Sequence, residues 1–164
     1  RTPVLAFVLQ RKPPMPSAIA INCTLKPSGG EPSSTDVLLA QLVDALGKQG
    51  VTISETIRIA DHNVKPGTDS DMGDGDEWPA ILEKLLAADI LVFGTPIWLG
   101  NPSSIARRVL ERLDAFLSET DDAGRTPAFG KVAIAAIVGN EDGAHATTAQ
   151  LFQALSDVGF TIPA

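Results

Sequence analysis

Four short, wholly or mainly apolar runs, each followed by a stretch with apolar residues at helical spacing, predict an α/β fold. Runs that are apolar at nearly every position suit strands buried on both faces. The sheet is therefore expected to be parallel, with helices covering each side. No internal repeat and no linker breaks the alternation, so one domain is expected.

The first strand is the run from Ala18 to Asn22 (AIAIN). A polar stretch rich in Pro, Gly and Ser follows from Thr24 to Ser34. Leu38, Leu39, Leu42, Val43 and Leu46 then recur at helical spacing, and Gly50 stops the helix. Val51, Ile53, Ile57 and Ile59 alternate with polar residues as a second strand. An acidic, glycine-rich loop from Asp61 to Asp76 leads to a helix with Ile81, Leu82, Leu85 and Leu86 on one face. Asp76 and Glu77 lie where negative charge favours a helix start.

The third strand is read as Ile90 to Gly94, followed by the loop TPIWLGNPSS. The next helix carries Ile105, Val109, Leu113, Phe116 and Leu117, and an acidic turn from Glu119 to Arg125 closes it. Val132 to Val138 is the fourth strand and the longest apolar run of that part of the chain. The loop GNEDGAH opens a helix with Leu151, Phe152, Leu155 and Val158, and Gly159 to Ile162 is read as the start of a fifth strand.

The ends stand apart from this pattern. Residue 1 is Arg and Met15 directly precedes the first strand, so residues 1–14 are expected to be a leader outside the fold. The domain is then 15–164, and it stops where a fifth strand begins, with the closing C-terminal helix missing. No run approaches the roughly 20 apolar residues of a membrane span, so a cytoplasmic protein with no membrane partner is expected. Thirteen Lys and Arg against twenty Asp and Glu leave a net charge of −7, which argues against gripping nucleic acid phosphates or anionic lipid. A single cysteine rules out an internal disulfide and a cysteine-based metal site.

In an open parallel sheet, ligands bind beyond the carboxyl ends of the strands where the strand order reverses. Three loops qualify: Cys23 to Thr35, Thr95 to Gly100 and Gly139 to His145. In the first, the hydroxyls of Thr24, Ser33, Ser34 and Thr35, with Lys26, converge on a helix N-terminus. Unpaired N–H groups and the positive dipole end suit a phosphate there. The loop is neither a Walker loop nor the Gly-x-Gly-x-x-Gly fingerprint, which demotes NTPase chemistry and a dinucleotide site. The plainer reading is that Ser34 or Thr35 caps the helix. The second loop offers an aromatic, two aliphatics and exposed backbone to a flat heteroaromatic ring, although a lone tryptophan in a loop more often packs in the core or at an interface. In the third, two glycines permit close backbone approach beside Asn140, which could otherwise cap the next helix, as could Asp142.

Together the T-x-K…S-S-T loop, the G-T-P-I-W-L-G-N-P-S-S segment and the V-G-N-E-D-G-A segment resemble the flavodoxin-like NADPH-dependent FMN reductases. The resemblance covers residues 18–162, with the three motifs in order after strands one, three and four. It implies a doubly wound three-layer α/β/α sheet of strand order 2-1-3-4-5, with FMN as cofactor and NAD(P)H as co-substrate. Carried over residue by residue, Thr24, Lys26, Ser33, Ser34 and Thr35 hold the FMN phosphate. Pro96, Ile97, Trp98, Leu99 and Gly100 line the isoalloxazine, and Gly139, Asn140 and Gly143 close its other side. The first loop is longer than the compact version typical of the family.

The function so implied is an oxidoreductase that passes a hydride from NAD(P)H to FMN and then electrons to a small acceptor such as a flavin or quinone. A flavodoxin-type electron carrier is the alternative, and a flavin-free interaction module a third reading. Carriers commonly shield the ring with aromatics from both loops, whereas Gly139 to His145 holds none. A homodimer or homotetramer is expected from the resemblance. The run Asp69 to Glu77 has no register that fits a calcium loop, and the cysteines of an iron–sulfur branch are absent. Cys23 is expected to be a packed side chain, His145 a surface residue and His62 uninformative. No protein nucleophile or metal ligand set is expected.

Overall fold

The computed structural model describes residues 15–163; the expected leader, residues 1–14, lies outside them. The element order is β1 (Ser17–Asn22), α1 (Ser34–Lys48), β2 (Thr52–Arg58), α2 (Trp78–Ala87), β3 (Ile90–Trp98), β4 (Asn101–Pro102), α3 (Ser104–Leu113), β5 (Val132–Val138) and α4 (Ala144–Asp157). Strands β2, β1, β3 and β5 lie side by side in that order and run parallel. Setting aside the two-residue β4, this is the expected 2-1-3-4 order, and the fold is flavodoxin-like.

Alternation of side chains along each strand feeds two cores. Ile19 and Ile21 of β1, Leu91 and Phe93 of β3 and Ala133 of β5 pack with α2, α3 and α4 through Ile81, Leu85, Val109, Leu113, Leu151 and Leu155. The opposite face, Ala20, Val92 and Ala136, receives α1 through Leu39. Small residues there let α1 lie close: a Cβ on Gly94 would meet the Leu39 side chain at 2.8 Å.

Several elements differ from the sequence reading, each for a local reason. Strand β3 runs on past Gly94 to Trp98, because Thr95 and Pro96 still pair with Ile137 and Val138 of β5. The Gly94 carbonyl accepts the Cys23 N–H at 2.8 Å, so the position two residues on, Pro96, turns its N-less side where β1 has already ended. The chain then folds back on itself, with Ile97 opposite Pro102 and Trp98 opposite Asn101, so the expected loop is a hairpin. Helix α3 stops at Leu113 and tightens into a 3₁₀ turn over Asp114–Leu117. The expected fifth strand is a single parallel bridge from Thr161 to Val132.

Asp76 and Glu77 lie at the start of α2, as expected: Glu77 is its N-cap residue, and Asp76 Oδ1 accepts the N–H of Trp78, the first helical residue, at 3.2 Å. The Glu77 side chain makes no cap bond, and Asp76 is also turned inward onto Arg112 at 2.8 Å, both side chains fully buried. Arg112 also donates to the carbonyls of Asp69 and Lys65 at 2.8 and 3.0 Å and lies over the Trp78 ring. The acidic run is therefore strapped to α3 rather than solvated throughout. Glu77 accepts the Asn63 N–H and pairs with His62.

Candidate functional site

Strands β1, β3 and β5 end on the same side, and the order reverses between β1 and β3. A cavity of about 330 Å³ opens there. It is lined by Thr24, Lys26, Ser33, Ser34, Thr35, Pro96, Ile97, Trp98, Gly139 and Asn140, with Leu25 and Val138 in addition. Ten of the thirteen expected site residues thus meet around one space. Leu99, Gly100 and Gly143 lie outside the lining, the first two at the tip of the β3–β4 hairpin and Gly143 at the start of α4.

One end of the cavity is the N-terminus of α1. Ser33, not Ser34 or Thr35, is the cap: its Oγ accepts the Asp36 N–H at 3.2 Å, and the Asp36 carboxylate accepts the Ser33 N–H at 2.6 Å. The Ser33 hydroxyl also donates to Asp36, so that side chain is committed to the cap. The Ser34 and Thr35 N–H groups, in the first turn, have no partner within the helix. Thr35 is 1% exposed, and its Oγ1 has no hydrogen-bond partner. Thr24 Oγ1 accepts the Lys26 N–H at 3.4 Å, which leaves its hydroxyl proton free to donate.

This end is braced from outside. Asp36 receives Arg58 Nη2 at 2.5 Å and Asn22 Nδ2 at 2.6 Å, and Arg58 Nη1 donates to the Lys26 carbonyl at 3.0 Å. Burial raises the Asp36 pKa, but the bonds from Arg58 and Ser33 outweigh it and hold the carboxyl below its ordinary range. Asp61 accepts both the hydroxyl and the N–H of Ser28, which keep its carboxyl low as well. The long first loop is thus pinned at Lys26 and Ser28 to the end of β2.

The other end is a slot between the β3 terminus and the β5 terminus. Ile97 is buried, whereas Trp98 is 54% exposed and faces the opening. A Cβ on Gly139 would sit 2.9 Å from the Ile97 Cβ, so only glycine lets these walls close. Helix α4 is capped by Gly143 at φ 119°, without a side-chain cap from Asn140 or Asp142. Behind the slot, Ser103 caps α3, donates to the Cys23 carbonyl at 2.6 Å and receives the Ala106 N–H. Cys23 is fully buried, and burial pushes its thiol far above the ordinary range. It is a packed side chain.

No histidine, cysteine or carboxylate lines the cavity; its polar lining is hydroxyls, Lys26, Asn140 and backbone. One end suits an anion and the other a flat ring. Among the described residues no three His, Cys, Asp or Glu gather to hold a metal, and no helix is long and apolar enough to cross a membrane. A wider groove of about 700 Å³ runs between α3 and α4. It lies away from the strand ends, and no unpartnered buried polar atom points into it.

The residues that sequence reading missed are mostly second partners. The S-S-T-D segment does carry a capping signal, a serine with an acid three residues on. Arg58 carries none, since it is one polar position among several in an alternating strand.

Comparison with known proteins gives these likenesses. The family model described as NADPH-dependent FMN reductase matches residues 16–164. The 8-demethyl-8-aminoriboflavin-5'-phosphate synthase of Streptomyces davaonensis is 34% identical over 155 residues, covering 89% of this chain and 60% of that protein. The divalent metal cation transporter MntH of Mycobacterium bovis (strain ATCC BAA-935 / AF2122/97) is 39% identical over 150 residues, covering 89% of this chain but 22% of the transporter. The chain thus spans less than two thirds of either curated relative. The crystal structure of RosB with bound 8-demethyl-8-formylriboflavin-5'-phosphate superposes with a TM-score of 0.79 at 33% identity, over 90% of this chain and 62% of that one.

Proposed function

The chain belongs to the NADPH-dependent FMN reductase family, and we propose that it is an FMN-dependent oxidoreductase taking a hydride from NAD(P)H and passing electrons to a small acceptor such as a flavin or quinone. The observation that carries the reading is Thr35 Oγ1, a buried hydroxyl without a partner at the N-terminus of α1. Such a group costs free energy unless an acceptor arrives, and a ligand phosphate is an acceptor of the right charge for a helix N-terminus.

The residues present fit FMN. Thr35 and Thr24 donate hydroxyl protons to the phosphate, the Ser34 and Thr35 N–H groups add two more donors, and Lys26 at the rim supplies the charge. The Ser33 hydroxyl orders the turn rather than meeting the phosphate. Trp98, Ile97 and Pro96 form one wall for the isoalloxazine, and the Gly139–Asn140 backbone forms the other. Bound FMN would supply the hydride and electron chemistry that no side chain of the lining can. The exposed half of Trp98 leaves room above the slot for a second flat molecule.

A second reading makes a riboflavin phosphate the substrate rather than the resident cofactor. It is supported by the likeness, at 33–34% identity, to a synthase of a modified riboflavin phosphate and to a structure holding one. A flavodoxin-type carrier is less well supported, because the loop from Gly139 to His145 offers no aromatic to shield the ring.

Reconstitution with FMN tests all three. Uptake should give absorbance bands near about 375 and 450 nm, as for any bound flavin, and protein that takes up none refutes them together. Anaerobic bleaching by NADPH or NADH supports the reductase. Bleaching only by dithionite or a redox protein supports the carrier, and a change in the mass of the recovered flavin after turnover supports the substrate reading.

A further inference from the structure

Leu99 is the one residue other than glycine at positive φ among the described residues, at 50°, and Gly100 follows at 75°. With Trp98 opposite Asn101, these two make a two-residue hairpin turn that needs φ > 0 at both centres and ordinarily takes Asn-Gly or Asp-Gly. Leucine has no side-chain oxygen to ease that conformation, and its side chain is 89% exposed, so its own packing does not hold it. Within the hairpin, Asn101 Nδ2 donates to the Leu99 carbonyl at 2.8 Å, and the rest of the hold comes from the loop after β5. Glu141 Oε1 accepts the Leu99 N–H at 3.1 Å. Gly143 presses on Gly100 so closely that a Cβ there would lie 2.4 Å from the Gly100 Cα. The buried Thr147 hydroxyl reaches the Gly100 carbonyl at 3.4 Å.

Only the Glu141 bond involves a full charge. It also joins the two cavity walls one residue from each, since Trp98 precedes Leu99 and Asn140 precedes Glu141. We propose that Glu141 is a positioning residue for the flavin: by holding the Leu99 N–H it keeps the hairpin tip in its strained turn and fixes the spacing of the Trp98 wall from the Gly139–Asn140 wall. The inference rests on the reading that this cavity takes FMN. Electrostatics alone predicts the opposite effect, because removing a carboxylate from beside a phosphate-bearing ligand strengthens binding. A loss of affinity on removing Glu141 therefore reports the latch and not the charge.

The test compares wild type, Glu141→Ala and Glu141→Gln, with apoprotein titrated with FMN by fluorescence and the Leu99 amide followed by hydrogen exchange. The glutamine oxygen can accept the same N–H, so it keeps the latch without the charge. Alanine should weaken FMN binding and speed Leu99 exchange by about three- to tenfold, the size of one hydrogen bond, and glutamine should restore most of both. Alanine binding FMN as tightly as wild type, or glutamine as weak as alanine, overturns the proposal. Wild type that keeps Leu99 protected but takes up no FMN overturns the cofactor reading, and the flavin role of Glu141 with it.

Discussion

Replacing Thr35 by valine separates folding from binding, because the two should move in opposite directions. The Thr35 hydroxyl is buried and unpartnered, so in the apoprotein it carries a desolvation cost of about 1–3 kcal/mol with no bond to offset it. Valine keeps the shape and drops the hydroxyl, so Thr35→Val should leave the apoprotein as stable as wild type or more stable by about 1 kcal/mol. The bond it removes is to a phosphate, and a charge-assisted bond contributes about 1.5–3 kcal/mol. FMN affinity should therefore fall about tenfold to a hundredfold. Urea unfolding of the apoprotein gives the first quantity and flavin-fluorescence titration the second. Riboflavin, which lacks the phosphate, should bind wild type and variant alike. If Thr35→Val loses more than about 1 kcal/mol of apoprotein stability, the hydroxyl has a partner after all. If FMN affinity is unchanged, or riboflavin suffers as much as FMN, the phosphate does not sit at α1.

Arg112→Met should cost about 3 kcal/mol in urea unfolding, because it strands the Asp76 carboxylate in the interior; Arg112→Met with Asp76→Leu should cost less than the sum of the singles, and simple additivity would show that the pair does not interact. Acid should act on the same carboxyl. Burial works against its ionisation, but the N–H groups of Met72 and Lys65 and the Arg112 guanidinium outweigh it and lower the pKa from 3.8 to about 2. The folded value is the lower one, so this contribution of about 2 kcal/mol is present above pH 3.8 and is lost as pH falls towards 2. A pH series of unfolding midpoints for wild type and Asp76→Asn should show that loss in wild type alone. Gly143→Ala puts a Cβ 2.4 Å from Gly100 at φ 119°, so roughly 2 kcal/mol or more of stability should go, together with FMN uptake; an unperturbed melt would mean that the two loops are not in backbone contact. Trp98→Ala should weaken FMN binding, and unchanged affinity would remove Trp98 from the ring wall.

The fold was legible because its signals are local and periodic. The apolar centres of β1, β3 and β5 cannot stand with one face in water, and that alone requires helices on both sides of a parallel sheet. What periodicity could not show is where a strand outlasts its neighbour. The apolar run of β3 ends at Gly94 in the sequence, but the strand continues because Thr95 and Pro96 still pair with β5, and β1 ends first and leaves no ladder bond that Pro96 would have to donate. The same holds for Thr161, where one bridge to Val132 takes the place of the strand that four apolar-polar residues suggested.

The site was legible in its floor and walls but not in its bracing, and the difference has a physical cause. Lining residues such as Thr24, Thr35 and Trp98 are recognisable because their chemistry suits a ligand and each sits just beyond a strand end. Arg58, Asp36, Glu141 and Arg112 act through charged contacts to partners distant in the sequence or in neighbouring loops, as in Glu141 on Leu99 or Arg112 on Asp76. Apart from the Ser33–Asp36 capping signal, a sequence pattern carries no trace of those pairings, since nothing local marks which distant group a charged residue will meet. The acidic excess changes meaning accordingly. Asp36, Asp61, Asp76 and Glu141 are each engaged in holding a loop, through Arg58, Ser28, Arg112 and Leu99. A net charge of −7 counts these internal fastenings together with the exposed carboxylates. Their charges remain in the field that an approaching partner meets at long range, but part of the acidic excess also holds the long first loop and a strained hairpin in shape.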